Sequence, residues 1–340
     1  MQKFIFYLLS SALFILSCDS YSAPQEVNVY SARKEALIKP LLDRFTKQTN
    51  IKVNLVTGKG DALLTRLKAE GPRSPADVLI TSDVGRLFRA KQAKVLQPVA
   101  IPALDSIVKP QYRDSDNYWY GLSLRSRVMV YAKDRVKASE LSNYEVLADD
   151  KWRARICVRS SDNIYNQSLV ASFIAHQGLP ETETWIKKFV ANLGRPPRGG
   201  DRDQVKAIVA GQCDVAIINS YYLGAMLNSE NFAEKKIAQQ VALFWPNQTN
   251  RGSHMNVSGI GITQAASNKA NAIKLIEFLL TEESQSWYAS INHEFPVREG
   301  VKVSDTLNSW GEFKADDIPL EKLGELNAQA VKAMDRNGWK

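Results

Sequence analysis

The sequence is poor in the residues that build imidazole or thiolate metal sites. Its 340 residues include 3 His and 3 Cys. His176, His254 and His293 stand far apart, in neither an HxH nor an HxxxH arrangement. Three cysteines exclude a disulfide-dense scaffold and a Cys-rich zinc array. Phosphate-loop signatures are missing too. Gly58-Lys59-Gly60 has neither the Walker spacing nor GxGxxG, and reads as a turn before a helix. No GxSxG occurs and no nucleophile–base pair can be assembled, which counts against a hydrolase. Internal repeats and low-complexity tracts are absent. Beyond the N-terminal region no segment is long and apolar enough to cross a bilayer.

What is present starts with an export pattern. Met1-Gln2-Lys3 precedes an apolar run from Phe4 to Leu16, which is short for a membrane span and suits a signal peptide. Two processing sites compete. Ile15-Leu16-Ser17-Cys18 resembles a lipobox, which would leave Cys18 acylated at the mature N-terminus. Ser20-Tyr21-Ser22 is a small-x-small cleavage site, giving a signal peptide of residues 1–22. Either way the expected location is the periplasm, with membrane attachment only through a lipid on Cys18. The remaining pair, Cys157 and Cys213, predicts one disulfide in an oxidising compartment. Lys plus Arg outnumber Asp plus Glu by 44 to 36, for a net charge of +8. That balance permits anion binding, while export argues against a nucleic-acid partner.

The hydrophobic pattern alternates strands and helices. Val27–Tyr30, Ile51–Val56 and Asp77–Ile80 read as strands. Between them lie a helix carrying Ile38, Leu41, Leu42 and Phe45 and a second carrying Leu63, Leu64 and Leu67, with Asp61 as its N-cap. This order predicts a parallel sheet covered on both faces. Arg127–Ala132 reads as a strand leaving a first lobe, and Val257–Ile262 as a second passage between lobes. Ile156–Val158 and Val215–Ile218 are strands of a second lobe. Helices follow at 268–280 and 282–291, and a final helix holds Leu320, Leu323, Leu326 and Ala330. The predicted lobes are 26–126 plus 252–301 and 127–251 plus 302–340, with a ligand cleft between them. Ligands in such α/β folds gather beyond the carboxyl ends of the strands. The basic loop Arg195–Arg202 reads as an exposed connection that caps the next helix.

Two segments carry the chemistry. Tyr221-Tyr222 follows the strand ending near Ile218, and Asn163-Ile164-Tyr165-Asn166-Gln167 follows the strand ending near Val158. A Cys157–Cys213 bridge would hold those strands side by side, so Tyr165, Tyr221 and Tyr222 are expected to converge in the cleft.

With these segments in hand, the chain resembles the periplasmic ferric-ion-binding proteins of ABC importers. These are the bacterial transferrins, with the type II periplasmic-binding fold. The markers are Val27–Arg33, Ser74–Val78, Asn163–Ser168, Gly200–Gln204 and Asn219–Tyr222, spread over the whole mature chain. The resemblance implies a monomeric binding protein without catalysis. It would capture Fe(III) through the phenolates of Tyr165, Tyr221 and Tyr222 and pass it to an inner-membrane permease. Hard, highly charged cations favour oxygen ligands, and three phenolates balance three charges. Many relatives place a His after the first strand, where this chain has Lys34-Glu35. Glu35 is therefore the candidate first-lobe ligand. Some use a Glu after the third strand, where Ser82-Asp83 stands. Arg125 matches an arginine near the iron that would hold a synergistic anion such as carbonate. The alternative is a same-fold protein for an organic or anionic solute such as a polyamine, thiamine or phosphonate, with Tyr221 and Tyr222 as stacking walls.

Overall fold

A computed structural model describes residues 25–340. The export segment and Cys18 lie outside the described residues. Nine strands are formed: β1 Glu26–Ser31, β2 Lys52–Thr57, β3 Val78–Ser82, β4 Tyr120–Ala132, β5 Ile156–Cys157, β6 Val215–Asn219, β7 Val241–Phe244, β8 Met255–Ile262 and β9 Phe295–Pro296. Their order along the sheet is β2-β1-β3-β8-β4-β6-β5, with β7 and β9 also pairing with β4.

The first three strands run parallel, as the alternation of strand and helix requires, and so do β5 and β6. β8 and β4 interrupt this pattern by pairing antiparallel to their neighbours. β4 is longer than its sequence pattern suggested, because it serves two sheets in turn. Tyr120–Ser126 pairs with β8 on one side of the molecule, and Arg127–Ala132 pairs with β6 and β7 on the other. The chain thus crosses between sheets at Ser126-Arg127. β8, expected to be a passage, lies wholly against β3 and β4. It sits close to the loop before β4. A Cβ at Gly261 would meet the Tyr118 carbonyl at 2.7 Å and one at Gly259 the Tyr120 carbonyl at 2.9 Å.

The core is apolar on both sides of the crossing. Val27, Val29, Leu41, Phe45, Val78 and Ile80 are buried around the first sheet. In the second half Phe173, Trp185, Phe189 and Trp339 pack ring to ring with centroid separations of 4.4, 4.7 and 4.9 Å. Cys157 and Cys213 form the expected disulfide, with Cα atoms 5.7 Å apart. Among the described residues, no helix is long and apolar enough to cross a membrane.

Two local expectations are corrected. Asp61 is not an N-cap. The helix starts at Gly60, and the Asp61 carboxylate is drawn to Arg86 and Arg89 at 3.0 and 2.6 Å. The final helix is two helices, Leu320–Glu325 and Asn327–Arg336, which meet at Leu326. The first packs against the helix Val84–Gln92, where Gly324 sits so close that a Cβ would lie 2.4 Å from that of Phe88. Both also pack on Ile164–Gln177, and the second continues along Leu179–Ala191.

Candidate metal centre

Both tyrosine segments start helices at strand ends. β5 leads through Val158–Asn163 into the helix Ile164–Gln177, so Tyr165 occupies its first turn. β6 leads directly into Ser220–Leu227, whose second and third residues are Tyr221 and Tyr222. Because β5 and β6 are adjacent and parallel, both helix starts emerge at the same edge.

The three tyrosines meet there. The Tyr221 and Tyr165 hydroxyls are 3.5 Å apart, and the Tyr221 and Tyr222 ring centroids 4.3 Å apart. From the first sheet, Ser82 at the end of β3 brings its Oγ to 3.5 Å from the Tyr165 hydroxyl. Together with Arg125 and Ser258 these residues wall a cavity of about 370 Å³ between the two sheets. Burial pushes the Tyr222 hydroxyl up to about 12, with negative charge on Tyr165 adding to the effect. Burial raises Tyr221 well above the ordinary phenol range, and charge on Tyr165 and Tyr222 raises it further. Tyr221 and Tyr222 therefore hold their protons until a cation replaces them.

Arg125 lies within this constellation, 2% exposed. Its guanidinium carbon is 5.7 Å from the Tyr165 ring centroid and 5.9 Å from that of Tyr221. Burial opposes its charge, but Glu294 and then Tyr165 and Tyr221 more than offset this, and its pKa is raised. Arg125 donates to Ser258 Oγ at 2.6 Å, and Arg33 donates to the same oxygen at 2.8 Å. Arg33 also pairs with Glu294 at 3.0 Å, and Ser123 donates to that carboxylate. Two buried guanidiniums thus share the Ser258 hydroxyl beside the phenols, and Arg33 alone is paired with the Glu294 carboxylate.

Glu35 is placed differently. It is exposed in the short turn Glu35–Leu37 and does not line the cavity, although Arg33, Lys34, Ala36 and Leu37 do. Asp83 also turns away from the tyrosines. It adopts a φ of 85°, caps the helix Val84–Gln92 through the Gly85 N–H, and accepts from Ser168 at 2.7 Å and Asn256 at 2.8 Å. Among the described residues no group of three His, Cys, Asp or Glu side chains could hold a metal. The convergent oxygen donors are phenolic.

Sequence reasoning passed over Arg33, Ser258 and Glu294. The basic loop was expected to cap a helix starting near Asp201; the helix does start there, but the Asp201 side chain is buried rather than exposed. Arg125 and Arg127 two residues apart in a largely apolar strand were a usable signal, because a buried guanidinium requires partners from elsewhere in the chain.

The family model for bacterial extracellular solute-binding proteins matches residues 30–286. The chain belongs to the bacterial extracellular solute-binding proteins. Within that family its likeness is to iron-handling members. Iron uptake protein A1 of Synechocystis sp. is 46% identical over 322 residues, covering 95% of this chain and 89% of that protein. A solved structure of the Trichodesmium protein IdiA (FutA), in complex with iron and citrate, superposes with a TM-score of 0.90 at 46% identity. It covers 93% of this chain and all of that one. The apo ferric-ion-binding protein A of Pasteurella haemolytica superposes with a TM-score of 0.87 at 43% identity, covering 93% and 98%. These matches bear out the two-lobed architecture of a solute-binding protein, with the cavity at the junction of its sheets.

Proposed function

We propose that this solute-binding protein captures Fe(III) in the cleft, through the phenolates of Tyr165, Tyr221 and Tyr222, and delivers it to an inner-membrane ABC permease. The observation that carries the reading is the convergence of three phenols at one sheet edge, with 3.5 Å between the Tyr165 and Tyr221 hydroxyls. Hard oxygen donors suit ferric ion, and three phenolates cancel its charge. Ferrous ion, with less charge, gains less from the same donors. The likeness to iron uptake protein A1 and to the iron-bound Trichodesmium protein supports the same choice of cargo.

The remaining coordination positions go to a synergistic anion such as carbonate, or to water. Arg125 is the group that would hold the anion, and the positive charge of Arg33 and Arg125 against the single Glu294 favours one. The lobes comprise 26–126 plus 252–301 and 127–251 plus 302–340, hinged where the chain crosses between sheets. The protein works as a periplasmic monomer without catalysis, free after cleavage behind Ser22 or tethered through Cys18.

The test is a visible spectrum and metal analysis of purified protein before and after stripping with citrate. A phenolate-to-iron charge-transfer band that vanishes on stripping and returns with Fe(III) is expected. A colourless protein that ignores Fe(III) but binds a polyamine, thiamine or a phosphonate would overturn the reading.

A further inference from the structure

Behind the tyrosines lies a buried charged network whose residues do not line the cavity. Its centre is Asp201, at the start of the helix Asp201–Val209. Asp201 Oδ1 accepts from Arg127 Nη1 at 2.7 Å and from the Asn219 backbone N–H at 2.9 Å. Oδ2 accepts from Arg159 Nη1 at 2.5 Å. The Arg127 and Asp201 side chains are 1% and 0% exposed. The other arm of Arg127 donates to Asn166 Oδ1 at 2.5 Å, and Asn166 Nδ2 donates to the carbonyls of Arg159 and Ser160 at 3.0 and 3.1 Å.

The positions of these partners matter more than their number. Asn219 is the last residue of β6, two before Tyr221. Asn166 follows Tyr165 directly, and the Arg159 guanidinium carbon lies 6.0 Å from the Tyr165 ring centroid. One carboxylate therefore fixes the backbone at the root of Tyr221-Tyr222 and, through two arginines, the root of Tyr165. These groups are distant in sequence, so local structure cannot hold them in register. Three oxygens that must share one small cation repel one another as phenolates, and a loose frame would let them spread. Charge-assisted bonds inside a low-dielectric interior are strong enough to resist that spreading.

We propose that Asp201 is a positioning residue for the metal site, locking the two tyrosine-bearing helix starts into one frame before iron arrives. The proposal rests on the ferric reading of the cleft.

Asp201→Asn keeps the size of the side chain and removes its charge. Fe(III) affinity, measured by competition with citrate, should fall about 10- to 100-fold, as for other groups that orient metal ligands. The charge-transfer band should shift and broaden, because the angles of the phenolates around the metal relax. Should Asp201→Asn fail to fold, Arg159→Gln decides. It leaves the buried Arg127–Asp201 pair intact, should keep the melting temperature, and should move the band through Tyr165 and Tyr222, the two tyrosines its charge faces. Lys91→Met, which breaks a charge cluster with Asp114, Asp116 and Glu321 away from the cavity, is the control for destabilisation and should leave the band in place. If the wild-type protein shows no band with Fe(III), the ferric reading falls and takes the proposal with it. If the wild type shows the band, and the folded variants keep its maximum and an affinity within about twofold, Asp201 only stabilises the fold and the proposal alone is overturned.

Discussion

Iron loading should be steeply pH-dependent, with a slope that counts phenols. An ordinary phenol stays neutral to about pH 10. Burial moves Tyr222 to about 12 and raises Tyr221 well above the ordinary phenol range, so acidic and neutral solutions find them protonated in the empty cleft. The metal-bound state is deprotonated, so each ligand releases one proton on binding. Affinity must then rise with pH throughout the range below the empty-state values, and fall as acid restores the protons. Three protons at about 1.4 kcal/mol per pH unit each amount to roughly 4 kcal/mol, or about a thousandfold in affinity per unit. The assay is competition against a chelator of known protonation, from about pH 5.5 to 7.5 in carbonate-free buffer, where phenols remain protonated in the empty site. Tyr221→Phe should reduce the slope from three to two and cost little stability, since the hydroxyl it removes makes only a contact of 3.5 Å. A wild-type slope of one or less, or a slope that Tyr221→Phe leaves alone, would refute the reasoning.

Three further outcomes are expected. Reducing the Cys157–Cys213 bridge, whose residues are 56 apart, should destabilise the protein by about 4 kcal/mol on the chain-entropy model, read from melting curves with and without reductant. Because its carboxylate is exposed and outside the cavity, Glu35→Gln should leave Fe(III) affinity unchanged. A clear loss would mean that the Glu35–Leu37 turn rearranges to bring the carboxylate to the metal. Gly224→Ala should oppose closure, since a Cβ there would lie 2.7 Å from that of His293. The expected cost is about 1–3 kcal/mol of affinity, with a larger scattering radius for the loaded form. Unchanged affinity and radius would show that this contact does not gate the cleft.

The parts of the structure that are local in sequence were readable. β1, β2 and β3 announce themselves by alternation, and Tyr165 and Tyr221 by their places just after apolar strands. The cysteine pair was readable by count. What could not be read depends on long-range pairing. Arg127 finds Asp201 across 74 residues and Asn166 across 39, and nothing near Asp201 marks it as buried. β4 was legible only in its second half. Its first half mixes Ser123, Arg125 and Ser126 into an apolar run, and only their partners Glu294, Ser258 and the His254 carbonyl explain that mixture. Asp61 satisfied a capping rule, yet arginines from the following helix claimed it.

All three tyrosines spring from the edge of one sheet, while the opposite wall contributes Ser82 and the arginine cluster. On the proposed reading, a metal bound by these phenolates would need only half of the molecule. It would be caught while the cleft gapes, with the first lobe arriving afterwards as a cover, so capture and enclosure would be separate events. The same asymmetry would govern departure. Swinging the cover away would uncover the cargo without severing any of the proposed phenolate bonds, so opening alone would discharge nothing. Whatever receives the ion would have to supply competing oxygens, protons or an electron at the uncovered face. Until then an open and loaded protein would drift from the membrane with its iron still aboard.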